Sequence, residues 1–118
     1  MQEHTISEFT FKMEWVKVFE SSESANAALV ENQPRLLIVH GKRICLVKRN
    51  GEFFAVQNNC THSGGSLSQG KINFLGEIVC PMHQYQFNLK TGRENGQRSN
   101  DLECFPIKES VEGIFILI

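Results

Sequence analysis

Two short boxes constrain this 118-residue chain more than anything else in it: Cys60-Thr61-His62 and Cys80-Pro81-Met82-His83. Each offers one thiolate and one imidazole. The order matters, because each cysteine is paired in sequence with a histidine and not with the other cysteine. A mononuclear zinc finger usually keeps its cysteine pair and its histidine pair apart. An interleaved set suits a binuclear centre, in which two thiolates hold one metal and two imidazoles the other. A structural zinc site is the competing reading of the same residues, and buried cysteines beside satisfied loop histidines the reading without metal.

The flanks of the boxes narrow this further. The first continues Ser63-Gly64-Gly65-Ser66-Leu67. The second continues Gln84-Tyr85-Gln86-Phe87-Asn88, then Leu89-Lys90-Thr91-Gly92. Together they resemble the two loops of the Rieske [2Fe–2S] family, with a match in length and layout from about Trp15 to Ile118 and specific motifs in the loops alone. The resemblance implies one cluster per chain, with Cys60 and Cys80 on one iron and His62 and His83 on the other.

The neighbouring positions have physical reasons of their own. Gly64 and Gly65 let the backbone pass close to the cluster with no Cβ in the way, and their amides are expected to donate to it. Pro81 fixes φ just after a ligand and stiffens the second loop. High-potential members of the family carry a serine and a tyrosine hydroxyl where this chain has Tyr85 and Phe87. The resemblance therefore implies a potential toward the low end of the Rieske range, around −150 mV. Respiratory-type members also clamp their loops with a disulfide, and Gly65 and Met82 stand at those positions here. The missing clamp fits a reducing compartment.

Bulk properties exclude more than they assert. The length fits one domain, expected over residues 14–118 after an N-terminal extension over 1–13. With 41% hydrophobic and 21% charged residues and a formal net charge of −1, nothing points to nucleic acid or to an anionic membrane. No apolar run reaches the length of a membrane span. Met1 to Met13 lacks a basic region, an apolar stretch and a twin-arginine pair, so a cytoplasmic location is expected. The other cysteines, Cys45 and Cys104, read as small core residues, with a Cys45–Cys104 disulfide as the alternative to free thiols. His4 and His40 read as solvated.

The chain predicts an all-β fold. Trp15 to Phe19 alternates at period two, which places Trp15, Lys17 and Phe19 on one face. Ser21 or Ser22 can cap a short helix before Glu31, or the segment is an irregular connection. Strands follow over Leu36–Val39, Ile44–Lys48 and Phe53–Val56, with turns at His40-Gly41-Lys42 and Asn50-Gly51. A small hairpin is expected around Gly76 between the boxes, and a turn at Lys90-Thr91-Gly92 after the second. Arg93 to Asp101 reads as polar and mobile. Strands over 103–108 and 113–118 close the sheet. The expected architecture is an antiparallel sandwich or partly open barrel, the base of the family fold, with a small inserted cluster-binding subdomain whose loops are 60–70 and 80–92.

No nucleophile–base pair and no nucleotide loop accompany the boxes, so the expected role is electron transfer and not substrate catalysis. By resemblance the chain is a soluble, monomeric Rieske-type ferredoxin that takes electrons from a flavin-dependent reductase and passes them to a terminal oxygenase or similar acceptor. The alternatives are an accessory domain of a larger redox enzyme, such as the small subunit of assimilatory nitrite reductase, and a zinc-binding interaction module. The loops carry almost no charge. Met82, Tyr85 and Leu67 are the candidate docking contacts, Leu67 being the better candidate for local packing.

Overall fold

The structure, a computed structural model, describes residues 13–118; His4 and almost all of the expected N-terminal extension lie outside the described residues. Nine strands, one helix and one 3-10 turn make up the described elements, and the strands form three small antiparallel sheets with no closed barrel.

The central sheet is a meander of β2 (Arg35–Val39), β3 (Lys42–Arg49) and β4 (Glu52–Gln57). Its two turns are made by His40-Gly41 and Asn50-Gly51, all four residues having φ between 50° and 78°. Two consecutive left-handed residues give the turn twist that flanking strands need, and Asn and Gly adopt it most readily. His40 serves here as a turn residue, exposed, with Nδ1 3.6 Å from Glu14.

β3 explains why one apolar run, Ile44-Cys45-Leu46-Val47, is buried without interruption. Ile44 and Leu46 face a first core; Cys45 and Val47 face a second. The first core is completed by the sheet of β1 (Trp15–Phe19), β8 (Ile107–Ser110) and β9 (Gly113–Leu117), in the order β1-β9-β8, and by α1 (Ser22–Ala28). Ser21 caps α1 with a reciprocal pair of bonds to Ser24, which settles the segment as helix. The second core lies under β5 (Lys71–Ile72), β6 (Glu77–Val79) and β7 (Gln86–Asn88) and contains Cys60 and Cys80. The central sheet is thus a wall shared by the base and the part that carries the boxes.

Three expectations are corrected. Strict alternation fails in β1 because its register with β9 shifts between Lys17 and Phe19. The bulge turns Val18 and Phe19 both toward the first core, with Val16, and leaves Trp15 outside with Lys17. Strand 103–108 begins only at Ile107; before it Cys104 makes a single bridge to Val56, and Pro106 has no amide to extend a ladder. Arg93 to Asp101 is no loose tether, as its buried Glu94 shows below. Cys45 and Cys104 are unpaired, and burial pushes the Cys45 thiol up to about 12.

Candidate metal centre

Both boxes occupy loops of one design. Residues 60–65 are closed by the bridge Asn59↔Ser66, residues 80–85 by the pair Val79↔Gln86 at the end of β6 and β7. In each, the amide of the leading cysteine donates to the carbonyl of the last loop residue: Cys60 to Gly65 at 2.9 Å, Cys80 to Tyr85 at 2.8 Å. The reversal of direction is made differently. Gly64 supplies it in the first loop, at φ 75°. In the second, His83 and Gln84 sit at 63° and 61°, where side chains are disfavoured.

The donors separate by depth. Cys60 and Cys80 are buried, whereas both imidazoles are exposed with their ring centroids 5.1 Å apart. The buried thiols are near enough for one to oppose ionisation of the other. Burial first, then Cys60, raise the Cys80 value; the Ser63 hydroxyl and the Met82 amide work in the opposite direction. A cation shared between the sulfurs turns that repulsion into attraction. Two buried sulfurs with two outer imidazoles match the donors of a binuclear iron–sulfur cluster, so these residues fit the group.

The surroundings differ in part from expectation. A Cβ on Gly65 would lie 3.2 Å from the Cys80 sulfur and from Met82. The glycine amides, however, are used within the loop: Gly64 donates to the Cys60 carbonyl and Gly65 to Ser63 Oγ. The contacts to sulfur come instead from the His62 amide, 3.4 Å from Cys60 Sγ, and, at Cys80 Sγ, from Ser63 Oγ at 3.6 Å and from the Met82 amide. Pro81 is exposed, and Phe87 is fully buried in the second core. Tyr85 stacks on His62 with centroids 3.8 Å apart and planes 13° from parallel. Leu67 is fully buried, so it packs locally; Met82 stays exposed.

Two supports escaped the sequence reading. Asn58 is buried and clasps the first loop, donating to Ser66 Oγ and accepting from the Ser68 amide. Its one signal was its place two residues before Cys60. The second support is a third loop. Glu94 is sealed from solvent by its own loop and accepts from the amides of Gly96 and Arg98 and from the Arg98 guanidinium, whose Nη2 lies at 2.6 Å. Arg98 above all holds the Glu94 carboxyl at about 2, against the opposing effect of burial. The guanidinium covers the outer face of Tyr85, 3.8 Å from the ring centroid. The tip near the histidines therefore presents a guanidinium, paired with the Glu94 carboxylate, that loops 60–70 and 80–92 did not disclose. The spacing of Glu94 and Arg98 by four residues was the available signal.

Known proteins resemble this chain in sequence and in fold. The ferredoxin component of the naphthalene 1,2-dioxygenase system of Pseudomonas aeruginosa is 35% identical over 81 residues, which are 68% of this chain and 75% of that protein. Among solved structures, the complex of reduced oxygenase and oxidized ferredoxin in carbazole 1,9a-dioxygenase superposes with a TM-score of 0.71 at 25% identity, covering 86% of this chain and 91% of that one. The putative NADH-dependent nitrite reductase small subunit of Mycobacterium tuberculosis gives 0.75 at 18% identity, covering 92% and 97%, a likeness of fold alone. The family model described as Rieske [2Fe–2S] domain matches residues 14–106, both boxes included. A match over most of the chain leaves no doubt of kinship: this protein belongs to the Rieske [2Fe–2S] domain family, a Rieske-type cluster is its cofactor, and it transfers electrons.

Proposed function

We propose that this chain is a cytoplasmic, monomeric ferredoxin component that carries single electrons from a flavin-dependent reductase to a terminal oxygenase. Residues 14–118 form its one domain. Cys60 and Cys80 hold the inner iron, and His62 and His83 the outer. The cluster supplies reversible one-electron chemistry when bound; the chain buries the sulfur side and presents the imidazole side.

The observation that carries this reading is the separation by depth. Buried sulfurs with two exposed imidazoles 5.1 Å apart support a reading in which the electron enters and leaves at a small surface tip. The names of the relatives support the choice of acceptor: the Pseudomonas aeruginosa protein is a dioxygenase ferredoxin component, and the carbazole structure holds a ferredoxin with its oxygenase. No helix among the described residues is long and apolar enough to cross a membrane. The nitrite reductase subunit shares the fold at an identity too low to recommend its role.

The test is reconstitution. Holo-protein mixed with a flavoprotein reductase and a Rieske-type oxygenase should make NADH-driven oxygenation depend on this chain. Dithionite-reduced protein should give a Rieske EPR signal. Zinc in place of iron, with no acid-labile sulfide, would refute the reading.

A further inference from the structure

The third loop carries an arrangement that electron transfer alone does not require. Glu94 belongs to neither apolar core and lies close to the surface, yet its side chain has no area open to solvent. A carboxylate is taken from water at a cost that only well-formed partners offset. Here those partners all belong to residues 96–98, and the Arg98 guanidinium, though its side chain is half exposed, is paired with the carboxylate. Arg98 is held through Nε at 3.2 Å and Nη2 at 2.6 Å. The guanidinium, the Tyr85 ring and the His62 imidazole then form three consecutive layers, each centre 3.8 Å from the next. The Thr61 hydroxyl donates to the Asn100 carbonyl at 2.6 Å, so the same loop is also tied to the residue just before His62.

We propose that Arg98 is a positioning residue for His62: anchored by Glu94, it presses Tyr85 against the imidazole and fixes the plane of that ring. The inference rests on the reading of His62 as an iron ligand. An exposed imidazole on a loop turns about its side-chain bonds, and its nitrogen points at the metal for only part of the time. Packing on one face by an aromatic ring removes that freedom. The aromatic ring packs against the second core, and the planar guanidinium covers the face turned away from His62. His83 has no part in this stack, its ring standing 67° from that of His62. Its loop instead fixes it through the left-handed backbone of its own turn.

The experiment uses the cluster-loaded protein. Cluster release to a chelator is followed by loss of visible absorbance, and the nitrogen couplings of the reduced state by pulsed EPR. Arg98→Ala and Arg98→Lys should both release the cluster about two- to fivefold faster, the range of an exposed cation–π contact. Both should broaden one nitrogen coupling and leave the other unchanged. Tyr85→Phe should behave as wild type, because the ring and not the hydroxyl is used. Tyr85→Leu should reproduce Arg98→Ala, and the double variant should be no worse than Tyr85→Leu, since the two residues act in series. Wild-type release from Arg98→Ala would overturn the proposal. So would full rescue by Arg98→Lys, which would indicate a point charge and not a planar cover, or additive effects in the double variant. If the wild-type protein itself gave no Rieske signal, the ligand assignment would fail and the proposal with it; a normal signal with unaltered Arg98→Ala would sink the proposal alone.

Discussion

The two box loops share a frame and differ in what holds it. Each spans six residues between paired flanks and is closed by the amide of its cysteine. The first is braced from outside: Asn58 clasps its base, Thr61 ties it to the third loop, and Tyr85 covers its histidine. It turns at a glycine. The second has fewer external ties around its exposed residues 81–84 and makes its turn with His83 and Gln84 in a disfavoured region. A ligand can therefore be placed in two ways. One is support from surrounding side chains; the other is local backbone strain kept in place by closure of the loop and by the metal.

Loss of a ligand should abolish that difference entirely, and it is the largest effect expected. Cys60→Ser, Cys80→Ser or His62→Ala should eliminate the Rieske EPR signal of reduced protein. His40→Ala should leave it at full intensity, because His40 only makes a turn. A full signal from any of the first three would remove the ligand assignment.

Removing the cluster without mutation separates the loops more finely. Metal binding contributes directly to the order of the segments it joins. In apo-protein, amides of 80–85 should lose hydrogen-exchange protection, while Cys60, Gly64 and Leu67 retain more of theirs through Asn58 and the closed first loop. Equal loss in both loops would mean that the braces around the first are ornament to the cluster and not support in their own right.

Asn58→Ala should weaken that brace directly. Its buried side chain makes one donated and one accepted bond to residues 66–68, and removal leaves the Ser68 amide unpartnered. A destabilisation of about 1–3 kcal/mol is expected from such a group. Chemical denaturation of the holo-protein should register it, and apo-protein should lose first-loop protection down to the level of the second.

Which of these features were legible in the sequence follows from how local their causes are. The boxes and the Asn50-Gly51 turn are written in adjacent residues, and the structure has the turn where the sequence suggests. β3 was readable as a strand, but not its two covered faces, because a buried run does not say what lies on either side. The β1 bulge was hidden: alternation in Trp15-Val16-Lys17-Val18-Phe19 looks regular until β9 supplies the register. Arg93 to Asp101 misled for a different reason. Polar composition normally signals solvent, and nothing local reveals that Glu94 turns inward onto Arg98 or that Arg98 reaches Tyr85. The left-handed His83-Gln84 pair was likewise unreadable, since neither residue is a usual choice there.

Acid should loosen the brace on the first loop before it affects the second. Glu94 has its carboxyl lowered from 4.5 to about 2, chiefly by the Arg98 side chain. A depressed value means that the folded loop gains stability above about pH 4.5 and loses it as pH falls toward 2. Arg98 remains charged throughout, its own value being raised by Glu94. Tyr85 is the chain's one tyrosine, so its ring resonances report the stack. They should shift over that window together with the Gly96 and Arg98 amides. Glu94→Gln should remove the transition and leave the stack loose at neutral pH.

The smallest effect expected is on the potential, and it tests whether the loops also differ in how they treat the sulfurs. Phe87 offers no hydroxyl, and the Tyr85 ring is engaged with His62 and Arg98. The midpoint should therefore lie toward the low end of the Rieske range, around −150 mV, and a value above roughly +100 mV would contradict this. One hydroxyl does approach a ligand sulfur: Ser63, in the first loop, reaches across to Cys80 of the second. With Cys80 as a thiolate the hydroxyl is the donor, and a bond to sulfur favours the more negative, reduced state. Ser63→Ala should lower the midpoint by less than about 59 mV, the tenfold ratio of a one-electron couple. Protein-film voltammetry resolves such a shift. An unchanged midpoint would mean that the hydroxyl serves only the Gly65 amide, which it also accepts at 3.3 Å, and that the first loop supports the cluster mechanically without tuning it.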